Sequence, residues 1–128
     1  MNYPADRARS PGEKLALAHS GFYLLTGVWP MLSPKTFQAV TGPKVDFWLV
    51  NTAGALIAAI GAALGLAALH RRVTPEIKLL AIGSALGLTA IDVIYVARRR
   101  ISPVYLLDAA AETALIAAWV AAGRGGAR

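Results

Sequence analysis

Four carboxylates, Asp46, Asp92, Asp108 and Glu112, fall within or at the edge of long apolar runs. A charged group inside a hydrocarbon layer costs on the order of 2.5 to 3.5 kcal/mol on insertion scales, so each is a candidate for function. Helical spacing groups them. Tyr105, Asp108, Glu112 and Trp119 recur at three, four and seven, which makes one stripe, and Thr89, Asp92, Tyr95 and Arg99 make another. Two carboxylates one turn apart repel when both are ionised, so Asp108 and Glu112 are expected to share a proton or to be held by an arginine. Arg98, Arg99 and Arg100 follow Asp92 closely, and arginine stems are long enough to reach back a turn or more. The expected constellation is an acidic pocket of Asp92, Asp108 and Glu112, flanked by Tyr95 and Tyr105 and lidded by the arginines, Arg99 foremost. Asp46, with Asn51 a turn further on, completes the set of ligand- or proton-binding candidates.

These groups need elements to carry them. About 20 apolar residues cross a hydrocarbon core as a helix. Four segments qualify, at about 14–32, 45–69, 75–97 and 103–123. The second contains LIAAIGAALGLAAL, apolar all round, and so has no polar face to offer water. Apolar residues make up 56% of the chain and charged residues 16%, against about a quarter charged in soluble domains. The expected fold is an all-α membrane protein, a single-domain bundle of four transmembrane helices. Thr74-Pro75-Glu76 reads as a cap, a first-position proline and a first-turn acid, and Ser102-Pro103 is read as opening the fourth helix the same way. Residues 33–44 form the one sizeable connection, and Phe37 suggests that it lies along the interface.

Because the first and third loops share one membrane face, the four carboxylates belong to the same half of the bundle. At roughly 1.5 Å per residue, Asp108 lies about 7 to 8 Å deep, Asp92 about 9 Å and Glu112 about 13 Å. Trp29, Trp48 and Tyr105 would mark one interface and Trp119 the other. Lys and Arg number eight in the tails and the second loop against five in the other two loops, which favours cytoplasmic termini in the cell inner membrane. The first helix is longer than a signal h-region and no A-x-A-like site follows it, so an uncleaved anchor is expected.

Several classes fall away. The net charge of +6 lies in short clusters between apolar runs, which suits anionic headgroups rather than nucleic acid. There is no cysteine, and neither a phosphate loop, a dinucleotide fingerprint nor a zinc motif is present, so no metal or cofactor is expected. His19 reads as an interfacial or packing residue and His70 as a helix-end residue. Small-residue faces, Gly61/Gly65 with Gly54 and Ala58, and Gly83/Gly87, could pack within the monomer, against a second copy or against a membrane-complex partner.

The stretch GFYLLTGVWPMLSPKTFQAVTGPKVDFWLVNTAGALIAAIG, residues 21–61, resembles the small four-helix bacterial membrane proteins of the DoxX-like group. The resemblance implies a four-helix membrane fold, and some members of that group are subunits of membrane oxidoreductases. Three functions remain open on the residues: an accessory subunit binding a lipid, quinone or membrane partner, an oligomeric proton-coupled transporter or channel, and a membrane enzyme using carboxylates for acid/base chemistry. The four-span count has a direct check. Topology reporters fused at Lys35 and at Arg128 should give opposite signals, and identical signals would refute an even number of spans with both ends together.

Overall fold

The computed structural model describes residues 8–125, all of whose regular structure is helical: α1 (Pro11–Leu32), α2 (Pro34–Thr41), α3 (Phe47–Leu69), α4 (Pro75–Ala97) and α5 (Tyr105–Gly125). Four of them, α1, α3, α4 and α5, are long and apolar enough to cross a membrane. Local chemistry sets their ends. Ser10 and Glu13 form a reciprocal capping box at the start of α1, where Pro11 needs no hydrogen-bond partner. Thr74 caps α4 by accepting from the Ile77 amide. The fourth span starts two residues later than Pro103, because a tight turn through Ser102 to Val104 precedes the first α-helical residue, Tyr105.

Two helices end in the same unusual way. At the end of α3 the amides of Arg71 and Arg72 donate to the carbonyls of Ala68 and Ala67, and Arg71 takes a left-handed φ of 55°. At the end of α4, Arg99 (φ 57°) and Arg100 repeat this on Val96 and Tyr95. Both are Schellman closures, with arginine where glycine is usual. A cation there complements the negative end of the helix dipole, which offsets part of the strain.

Residues 33–44 are not a bare connection. Ser33 ends α1 and caps α2, an eight-residue helix whose Phe37 packs edge-on against Trp29 and Phe47.

The bundle is two tight pairs. α1 packs along α3 and α4 along α5, while contact between the pairs is thin. Glycine makes the first pair possible. A Cβ on Gly27 would lie 2.6 Å from the Gly54 carbonyl oxygen, and one on Gly61 only 3.0 Å from the Tyr23 Cβ. Gly65 meets the Ser20 side chain in the same seam. The Gly61/Gly65 face is therefore spent inside the monomer and is not free for a partner. Gly83 and Gly87 are exposed, with open space where their side chains would be. The apolar core, Ala16, Leu64, Ala68, Ala81 and Trp119, lies toward the end of the bundle that holds the start of α1. There the Arg71 guanidinium pairs with Glu13 at 3.2 Å and Arg9 donates to the Ala68 carbonyl at 2.6 Å. Trp119 is 2% exposed, so it is a core residue and not part of an interfacial belt; Trp48, 67% exposed, fits that belt.

Gly54→Ala should destabilise the bundle by about 1 to 3 kcal/mol, because the new methyl meets backbone that cannot yield. Gly87→Ala should be neutral or slightly stabilising. Reversible unfolding in mixed micelles distinguishes the two sites.

Candidate functional site

Opposite the core, the two pairs diverge around a cavity of about 300 Å³. All four spans line it: Thr26 and Pro30 from α1, Val50, Ala53, Gly54 and Ile57 from α3, Leu88, Ile91 and Asp92 from α4, and Tyr105, Asp108 and Glu112 from α5. The predicted acidic cluster is thus assembled. Asp92, Asp108 and Glu112 line the same cavity. Three carboxyls gathered in one apolar cavity repel when all are ionised, which favours a proton held among them. Asp92 is 5% exposed and its Oδ2 has no partner.

Glu112, 1% exposed, is held from across the bundle. The Tyr23 hydroxyl donates to its Oε1 at 2.8 Å and accepts from Ser84 at 3.4 Å. Three spans therefore meet at one phenol. Beyond it, His19 sits edge-on to Tyr23 with ring centroids 4.3 Å apart, and its Nδ1 accepts from the Trp119 indole at 3.0 Å. That bond leaves the neutral imidazole's proton on Nε2, which is buried and unpartnered. His19 packs, as expected, but as part of a polar line that continues from Glu112 toward the opposite face.

The other predicted members stand apart. The arginine lid is not formed. Arg98, Arg99 and Arg100 are exposed, and among the described residues no ion pair joins them to Asp92 or Asp108. The Schellman closure reverses the chain at Arg99 and sends the side chains outward; the Arg98 guanidinium lies 5.9 Å from the centre of the Tyr95 ring. Tyr95 is itself on the outer surface and does not line the cavity. Asp46 is exposed at the start of α3 and makes no capping bond, and Asn51 lies beside the cavity without lining it, its Oδ1 buried and unpartnered.

The basic group nearest the cavity wall is a lysine beside Tyr105. Lys44 Nζ donates to the Thr41 and Gly42 carbonyls and lies 5.3 Å from the Tyr105 ring centre and 5.9 Å from that of Phe37. Partial burial pushes its ammonium below the usual lysine value. Thr26, Phe37, Tyr105 and Asp108 also line a second hollow of about 250 Å³, bounded by α1, α2 and α5. Sequence reasoning missed Tyr23, Ser84 and Lys44. The spacing of His19, Tyr23, Gly27 and Pro30, at four, four and three, was the available signal for Tyr23, since all four are buried on one face of α1.

No known protein family, curated protein or solved structure matches the chain.

Two outcomes follow from the geometry. Tyr23→Phe should cost about 0.6 to 1.7 kcal/mol, the range for interhelical hydrogen bonds in membranes, read by unfolding in lipid–detergent mixtures. Asp92→Asn and an Arg99→Gln change should be additive to within about 0.5 kcal/mol in a double-mutant cycle; a larger coupling would restore the arginine lid.

Proposed function

We propose that this protein is an integral membrane binding protein or accessory subunit. It holds one small amphipathic molecule with its polar head at Asp92, Asp108 and Glu112. The observation that carries this reading is the cavity: apolar walls from four spans around three convergent carboxyls. A site of about 300 Å³ lies at the lower end of the range for ligand pockets, roughly 300 to 1,000 Å³. That volume suits a head group and its first carbons better than a whole lipid. The likeness of residues 21–61 to DoxX-like proteins agrees with an accessory role, since some of that group are subunits of membrane oxidoreductases. The excess of Lys and Arg in the tails and second loop favours cytoplasmic termini in the inner membrane, which turns the carboxyl half toward the outer leaflet.

One observation favours a second reading, proton-coupled transport. The line Glu112, Tyr23, Ser84, His19 and Trp119, buried except for the half-buried Ser84, carries polar groups well beyond the cavity. In that reading His19→Leu would abolish a proton flux into liposomes that the wild type supports.

The binding reading is tested by extracting the protein into lipid nanodiscs and identifying small molecules that accompany it. A single amphipathic species near one per chain is expected. Ile57→Trp, which fills the cavity, should reduce it by at least tenfold, about 1.4 kcal/mol. A wild-type protein that carries nothing and binds no amphiphile would refute the reading.

A further inference from the structure

We propose that the occupant of this cavity is a lipophilic ammonium ion that enters from the bilayer between α1 and α5 and displaces one proton from the Asp92–Asp108–Glu112 cluster. The charge, route and stoichiometry named here rest on the binding reading above.

The cavity's ionisable equipment argues for the cation. Its three carboxyls have no ion-pair partner among the described residues. Asp92 Oδ2, on a residue 95% buried by its 5% exposure, lacks any donor. A buried acceptor left unsatisfied is costly, and an N–H donor carried in by an occupant removes that cost. A charged donor forms the stronger bond. Around the carboxyls, Val50, Ile57, Leu88 and Ile91 suit the hydrocarbon next to an ammonium head.

The route follows from charge at the same end of the bundle. Lys44 stands over the rings of Phe37 and Tyr105, and Arg98 to Arg100 are exposed nearby in the chain at the same face. A cation arriving from water meets this basic rim. The second hollow instead has Phe22, Val40, Val104 and Leu107 among its walls, and it shares Asp108 and Tyr105 with the cavity. A membrane-dissolved amine can slide in along it, leaving its alkyl tail between α1 and α5.

The proton balance closes. Before binding, the three carboxyls share at least one proton, because all three ionised in one apolar cavity would repel. When R–NH3+ enters, that proton leaves to water and the ammonium donates to the carboxylates, so the net charge of the buried site is unchanged. No bond to carbon is made or broken. The titratable groups that face the cluster are Tyr23 from α1, Asp92 from α4, and Tyr105, Asp108 and Glu112 from α5, with Lys44 at the rim. The α3 wall is apolar or glycine. His19 lies on the far side of Tyr23.

The test uses the full chain in nanodiscs of zwitterionic lipid, with labelled dodecylammonium as probe and dodecanol, equal in length and uncharged, as comparator. Dodecylammonium should bind saturably, release about one proton per cation to a pH dye, and tighten about tenfold per pH unit between about pH 6 and 8, where the amine stays charged. Asp92→Asn should weaken it at least about tenfold. Because that variant could misfold, the wild-type pH slope is the deciding measurement. Ala111→Trp, which narrows the hollow between α1 and α5, should slow association at least about tenfold; an unchanged rate overturns the lateral route. Saturable cation binding with no proton release and no pH slope overturns the exchange. Binding of dodecanol equal to that of the cation overturns the ammonium class while leaving the cavity reading intact. Saturable binding of neither probe, from a chain that also carries no native molecule, overturns both.

Discussion

The hydrogen bond from the Tyr23 hydroxyl to Glu112 joins the two halves of the bundle through two buried side chains. Contact between the pairs α1/α3 and α4/α5 is thin, and besides the small core of Ala16, Leu64, Ala68, Ala81 and Trp119 it is carried by polar bonds such as this one. Lipid tails are as apolar as leucine, and burying leucine against leucine gains little over leaving it in lipid. A buried carboxyl has no such indifference. With Tyr23 withdrawn, Glu112 would face hydrocarbon with its nearest neighbours being other carboxyls. The bond ties the pairs together beside the cavity, while the Trp119–His19 bond and the shared apolar core tie them nearer the other end.

The two ends of the bundle are built on opposite principles. One is closed by Ala16, Leu64, Ala68, Ala81 and Trp119, and is tied at the surface by Arg71 to Glu13 and by Arg9 to the Ala68 carbonyl. The other is open, with three carboxyls, apolar walls and a basic rim. Small residues bring α1 and α3 together along their length, Gly61 and Gly65 toward the closed end and Gly27 and Gly54 beside the cavity.

Arginine takes two roles here that its charge alone would not predict. Arg71 and Arg99 both adopt left-handed backbone and close a helix. The first also binds Glu13, while the second leaves Asp92 alone. The difference lies in what each closure faces. Glu13 is brought to the end of α3 by the glycine seam, whereas Asp92 points inward from α4 while the chain turns outward at Arg99.

The four long apolar helices, the short loops and the gathering of Asp92, Asp108 and Glu112 in one half of the bundle were legible in the sequence, because hydrophobic length and helical rise are properties of consecutive residues. The stripe of Tyr105, Asp108, Glu112 and Trp119 was legible for the same reason, as a period of 3.6. What the period could not give was the rotation of each helix about its axis relative to the others. That rotation decided that Glu112 meets Tyr23, that Trp119 meets His19 in the core, and that Gly61 and Gly65 are consumed by α1 while Gly83 and Gly87 stay bare. Likewise, proximity in the chain suggested an arginine lid, but a single residue in left-handed conformation at Arg99 reversed the direction of the side chains. Local composition sets where a charged group lies along the membrane normal. Only packing between helices sets which neighbour it faces, because that choice depends on residues dozens of positions away.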